Sequence, residues 1–183
     1  MRKIGLVLMG MLVLQAGCGD DDDGDRIRDA MLDDALRDAL DDAPGDALGD
    51  INFNVTLTTN QEVPVCDAAS ATATGTAEVT VPADGQSVIV ESVTWSNLSG
   101  DAIAAHIHSG APGVAGPIVL DFGANPESPF TRTFTAADYP SPPPEGAPAT
   151  FAAFIEQMRA GNTYVNVHTP MCQPGEIRGQ LVP

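Results

Sequence analysis

The stretch "AAHIHSG", residues 104–110, puts His106 and His108 one residue apart in a chain with only three histidines. The third, His168, closes "YVNVHTP" far along the sequence. On an extended strand, side chains at i and i+2 share a face with their backbones ~6.6–7 Å apart. A metal bound at ~2.0–2.1 Å from each ring nitrogen bridges such a gap, and a third imidazole from a neighbouring strand completes an open three-nitrogen site. Three imidazoles suit copper or zinc, and copper leads in intrinsic affinity. The competing reading is that H-x-H on a strand is a pair of solvated polar positions.

The alternation of the surrounding residues decides which faces carry these groups. In "AIAAHIH", Ile103, Ala105 and Ile107 share one face and Ala104, His106 and His108 the other. In "TYVNVHT", Val165 and Val167 take the core side, leaving Tyr164, Asn166 and His168 on the outward side. In "GEIRGQL", Ile177 and Leu181 point inward and Glu176, Arg178 and Gln180 outward. The pattern therefore predicts three outward histidines together with Arg178, which on an exposed face would pair with a glutamate for ~0–1 kcal/mol. Met171, three residues beyond His168, offers a soft thioether for Cu(I) or simple loop packing.

The same period of two runs through the elements that must position these residues. "INFNVTLT" and "TAEVTVP" alternate cleanly, and "QSVIVESVTWSNL" reads as a longer strand with a bulge. "AIAAHIH", "PIVLDF", "FTRTFT", "TYVNVHT" and "EIRGQLV" follow, separated by Gly and Pro clusters. About eight short strands at this spacing predict an all-β, antiparallel Greek-key sandwich or barrel. One helix interrupts it. Phe151, Phe154, Ile155 and Met158 fall at helical spacing, with Gly161 placed to end the run. The prolines of "DYPSPPPEGAP" before it exclude regular structure there and predict a crossing connection.

Composition divides the chain. Residues 51–183 are rich in Val, Thr, Gly and Pro, enough for one domain with one core, and their only Arg or Lys residues are Arg132, Arg159 and Arg178. Residues 18–50 are dominated by aspartate, and the chain carries a formal net charge of −17. Like-charge repulsion predicts an extended flexible tether, the alternative being a weak amphipathic helix over about 26–41 built on Ile27, Met31, Leu36 and Leu40. Such acidity excludes nucleic acid as a partner and repels an anionic membrane surface. Hydrolase chemistry finds no recognisable nucleophile arrangement, and no glycine-rich phosphate loop is visible.

Residues 1–17 read as an export signal: "MRK", an apolar run "IGLVLMGMLVL", then small residues before Cys18. "LQAGC" resembles a bacterial lipoprotein cleavage box, although Gln15 stands where that box carries an apolar residue. The resemblance implies acylation of Cys18 and lipid anchoring in the cell envelope, outside the cytoplasm, with each buried CH₂ contributing ~0.8 kcal/mol. An ordinary secretory signal is the other reading. Gly19, in place of an aspartate, is compatible with the outer membrane. In an oxidising compartment Cys66 and Cys172 form a natural disulfide pair. The alternative of Cys172 as a metal ligand requires a free thiolate, which that compartment disfavours.

Two motif blocks, "HIHSGAPGVAGPIVLDF" and "AGNTYVNVHTPMCQPGEIRGQL", resemble the CHRD (chordin) domain over residues 51–183. The resemblance implies an extracellular β-sandwich binding module with a protein partner. The growth-factor ligands bound by chordin in animals do not carry over to a bacterial lipoprotein. More distantly, the H-x-H strand, a later strand ending in Val-His, a loop bridge and a late arginine resemble copper/zinc superoxide dismutases. That likeness implies copper ligands at His106, His108 and His168 and a catalytic, substrate-guiding role for Arg178. It lacks the bridging fourth histidine and a zinc cluster, so it points to a copper-only redox enzyme or a copper carrier.

Overall fold

The computed structural model describes residues 49–183; Cys18, the export signal expected at residues 1–17 and nearly all of the tether expected at 18–50 lie outside the described residues. Eight strands form within them: β1 (Ile51–Thr58), β2 (Thr74–Val81), β3 (Ser87–Ser96), β4 (Ala104–Ser109), β5 (Ile118–Ala124), β6 (Phe130–Thr135), β7 (Thr163–His168) and β8 (Ile177–Leu181). One helix, α1 (Phe151–Arg159), precedes β7. The strands make one antiparallel sheet in the order β5-β4-β7-β8-β1-β2-β3-β6.

That sheet curls until its two edges meet. Phe122 of β5 stacks on Phe130 of β6 with ring centroids 4.3 Å apart, and the Arg132 guanidinium reaches the Asp121 carbonyl at 3.5 Å. With β5 and β6 adjacent across this seam, β7 returns beside β4 after β4, β5 and β6, which is the Greek-key order. The predicted bulge in β3 is present, as register shifts against β2 and β6. Bulges of this kind bend a strand and help a sheet close.

The inward residues fill the barrel as alternation predicts. Phe53, Leu57, Ala77, Val79, Val88, Val90, Val93, Ala105, Ile107, Val165, Val167, Ile177 and Leu181 are all buried. α1 adds Phe154, Ile155 and Met158 to this core, and the Thr150 hydroxyl accepts the Ala153 N–H at 3.1 Å to cap its start. Gly161 follows with φ +71, the left-handed conformation that ends a helix cheaply only at glycine.

The prediction that the second faces of β4, β7 and β8 look outward into solvent is corrected. These strands are buried on both faces: every residue of β7 is buried, as are His106, His108, Asn166 and Arg178. Cover comes from segments between the strands: Glu62 meets Asn166, the Gly116 carbonyl meets His108 and the Gln173 carbonyl meets His168. Strand periodicity assigns a residue to a face but is silent about what packs on that face.

Candidate metal centre

Cross-strand register brings the three histidines together. Ala104 stands opposite His168, His106 opposite Asn166 and His108 opposite Tyr164. His106 and His168 are thus diagonal neighbours, and the small Ala104 beside His168 leaves space for the rings to converge. One ring nitrogen from each of the three lies within 4.8 Å of the others. His106 Nδ1 and His168 Nε2 are 2.9 Å apart.

On His108 and His168 the other ring nitrogen is engaged away from the cluster. His108 Nδ1 sits 2.9 Å from the Gly116 carbonyl and His168 Nδ1 2.8 Å from the Gln173 carbonyl. A carbonyl only accepts, so each Nδ1 donates its proton and each Nε2 is left with a lone pair facing inward. His108 Nε2 is buried and has no hydrogen-bond partner. His106 differs: its Nδ1 donates to His168 Nε2 at 2.9 Å, and its Nε2 lies 3.6 Å from Asp121 Oδ1, so a metal at Nδ1 would displace that proton to the Asp121 side. The Gly116 and Gln173 hydrogen bonds are the outer-shell arrangement that fixes tautomer and ring orientation in metal-bound histidines.

Burial keeps the rings neutral. It pushes His106 down to about 4, with His168 adding to the drop and Asp121 opposing it. Burial likewise pushes His108 down to about 4, and it lowers His168 against the opposing Gln173 hydrogen bond. Neutral imidazoles, with a buried unpartnered lone pair at His108 Nε2, are the form a metal ion takes. Bonds of ~2.0–2.1 Å to three nitrogens need those nitrogens ~3.3–3.6 Å apart, which small ring rotations supply. The residues present therefore fit a three-nitrogen metal site.

Arg178 is buried beside this cluster without an ion-pairing glutamate from its own segment. Burial lowers its pKa, with Tyr164 and Glu62 opposing that shift. The expected exposed Arg178–glutamate pair is corrected on both counts. The Glu176 carboxylate instead accepts from Ser70 N, Ser99 N, Ser99 Oγ and Thr169 Oγ1 at 2.6–3.0 Å, tying three loops together. Burial alone would raise Glu176, and these hydrogen bonds outweigh it and lower its pKa. Met171 is 62% exposed on the turn after His168. Cys66 and Cys172 are joined in a disulfide, as paired from the sequence, which fits an oxidising compartment and rules out Cys172 as a thiolate ligand.

The chain matches the family model of the CHRD domain over residues 53–181. It belongs to the CHRD domain family. No curated protein and no solved structure matches it significantly.

Several residues of this CHRD domain's site were not singled out from the sequence. Tyr164 stacks on His108 with centroids 4.8 Å apart and planes 8° apart, and it was visible only as a same-face neighbour. Asp121 needed the β4–β5 register, and the Gly116 and Gln173 carbonyls leave no side-chain signature at all. Glu62 is buried, and its Oε2 accepts from Asn166 Nδ2 at 3.2 Å. A larger cleft of ≈ 700 Å³, bordered by Trp95, Asp101, Asn125 and Glu127, lies elsewhere and no histidine lines it.

Proposed function

We propose that this CHRD domain is an extracytoplasmic binding module that holds one copper ion on His106, His108 and His168, tethered to the membrane by a lipid on Cys18. The observation that carries the metal reading is the convergence of three ring nitrogens within 4.8 Å of one another, with the opposite nitrogens of His108 and His168 held by the Gly116 and Gln173 carbonyls. An imidazole cluster that served only packing would have no need of a buried, unpartnered His108 Nε2. Copper is favoured over zinc by intrinsic affinity for nitrogen donors.

Binding is favoured over dismutase-type turnover. A substrate-guiding arginine needs N–H groups aimed at an open position. The Arg178 guanidinium instead donates to the carbonyls of Ala111 and Val114 and to Gln180 Oε1. A carrier or metal-dependent docking role, with a protein partner in the envelope, suits this arrangement better.

The test is copper and zinc titration of the full mature protein, with EPR of the Cu(II) form, beside a His106→Ala/His108→Ala/His168→Ala variant. One tight copper per chain with three-nitrogen hyperfine structure, lost in the variant, supports the proposal. Weak binding of equal strength in both proteins sinks it. Mass spectrometry of the N-terminal peptide checks the anchor: an acylated Cys18 supports it, and a bare N-terminus elsewhere removes it.

A further inference from the structure

We infer that Arg178 is a positioning residue for His108, holding in place the backbone carbonyl that fixes which His108 nitrogen faces the cluster. The inference deepens the metal-binding reading above and rests on it for its consequence, though not for its geometry.

β7 lies between β4 and β8, with His108 opposite Tyr164 and Tyr164 opposite Gln180. The Tyr164 ring is therefore flanked from both sides. His108 stacks on the β4 side, and from the β8 side the Arg178 guanidinium carbon sits 3.4 Å from the ring centroid. A cation over an aromatic face is attracted to it, most strongly when both are desolvated. Arg178 is 2% exposed and Tyr164 3%.

The same guanidinium grips the loop between β4 and β5. Arg178 Nη1 donates to the Val114 carbonyl at 3.1 Å, and Nη2 donates to the Ala111 carbonyl at 3.2 Å and to Gln180 Oε1 at 2.9 Å. Gln180 Nε2 in turn donates to the Gly110 carbonyl at 2.9 Å. The loop's far end is held by Tyr164, whose Oη accepts the Gly116 N–H at 3.0 Å. Gly116 then presents its carbonyl to His108 Nδ1.

Arg178 and Gln180 thus hold the loop at Gly110, Ala111 and Val114, and Tyr164 holds Gly116 itself, where a Cβ would lie 1.7 Å from the Ser109 carbonyl oxygen. The loop therefore passes its own start too closely for any other residue. A planar fork reaches two carbonyls in fixed directions while its face lies on the Tyr164 ring, a geometry that lysine's compact ammonium does not reproduce. His168 depends on none of this, because its Nδ1 acceptor, Gln173, belongs to a different turn.

The experiment is long-range ¹H–¹⁵N NMR of the imidazoles in the metal-free full-length protein, followed by zinc titration, for the wild type, Arg178→Gln, Arg178→Lys and Tyr164→Phe. In the wild type, His108 and His168 should both carry the proton on Nδ1. In Arg178→Gln the His108 signals should become a tautomer mixture while His168 stays fixed, and zinc affinity should fall ~10–100-fold. Arg178→Lys should restore little, and Tyr164→Phe should loosen His108 alone. If His108 stays fixed with unchanged affinity in Arg178→Gln, the inference is overturned. Loss of order at His108 and His168 together also overturns it, in favour of a purely structural arginine. If no protein binds zinc or copper yet His108 alone loses its tautomer, the positioning stands and the metal reading fails.

Discussion

His106 Nε2 lies 3.6 Å from Asp121 Oδ1, directly across the β4–β5 ladder. This carboxylate can accept the His106 proton once Nδ1 is given to a metal, so Asp121 selects the productive tautomer from outside the site. The Asp121 side chain is 67% exposed, which weakens its hold through solvent screening. Asp121→Ala should therefore weaken copper binding by only about tenfold, the low end for outer-shell partners. Asp121→Asn, which keeps an acceptor oxygen, should lose less. Competition titration against a chelator measures both, and equal affinities for all three proteins would remove Asp121 from the site.

The disulfide should matter to both stability and site. Cys66 and Cys172 are 106 residues apart in sequence, and closing a loop of that length contributes ~4–5 kcal/mol in the chain-entropy picture. The bridge also anchors the turn that presents the Gln173 carbonyl to His168, where Thr169 and Cys172 exchange backbone hydrogen bonds. A Cys66→Ala/Cys172→Ala variant should melt more than about 10 °C lower and bind metal more weakly. Thermal melts and titration check this, and an unchanged melting temperature would contradict it.

Much of the framework was legible in the sequence, because eight short alternating segments translate directly into strands, and Phe151, Phe154, Ile155 and Met158 mark the helix. The three histidines were also legible as residues sharing faces. What periodicity could not supply was the packing of loops on those faces. A period of two looks identical whether His106 and Arg178 meet water or a loop, and only the covering segments around Glu62, Gly116 and Gln173 make the site dry. Those segments have no period to read. Their positions depend on long-range ties such as Glu176 to Ser70 and Ser99, and Arg178 to Ala111 and Val114.

Helix α1 offers a way to separate stability from metal binding. Phe154 and Met158 are fully buried and Ile155 nearly so, on the face that closes the core. Phe154→Ala should cost ~3–5 kcal/mol by loss of burial and cavity formation. Phe154 belongs to the apolar core and does not contact the three histidines' polar partners, so the surviving folded protein should still bind one metal ion. A chemical denaturation series paired with metal stoichiometry tests this. Loss of the metal site at temperatures where the variant remains folded would show that the helix and the cluster are coupled.

Glu62 should leave its mark on stability against pH. Burial pushes its carboxyl up to about 7, with Arg178 and Asn166 opposing the rise. Glu62 Oε1 and Asn166 Oδ1 are both buried acceptors without a donor, and Glu62 Oε2 and both amide atoms of Asn166 lie within 2.6 Å of the point a Gly175 Cβ would occupy. One proton on Oε1 provides the missing donor. The folded state thus binds this proton more tightly than the unfolded chain, whose carboxyl titrates near 4.5. The resulting stability is full below about 4.5 and is lost as pH rises through about 7. His106 and His108 act with the opposite sign: held neutral in the fold, they stabilise above about 6.5, and that stability is lost as pH falls through about 4. With two imidazoles against one carboxyl, wild-type stability should still climb with pH across the overlap, at a slope smaller by about one proton than the imidazoles alone would give. In Glu62→Gln, the amide supplies a permanent donor and the opposing contribution disappears. Its stability should climb more steeply between pH 4.5 and 7, by up to about 1.4 kcal/mol per pH unit for one proton, and exceed that of the wild type above pH 7. Urea melts of the metal-free proteins at pH 5, 6, 7 and 8 measure both curves, and parallel profiles would show that Glu62 is ionised throughout.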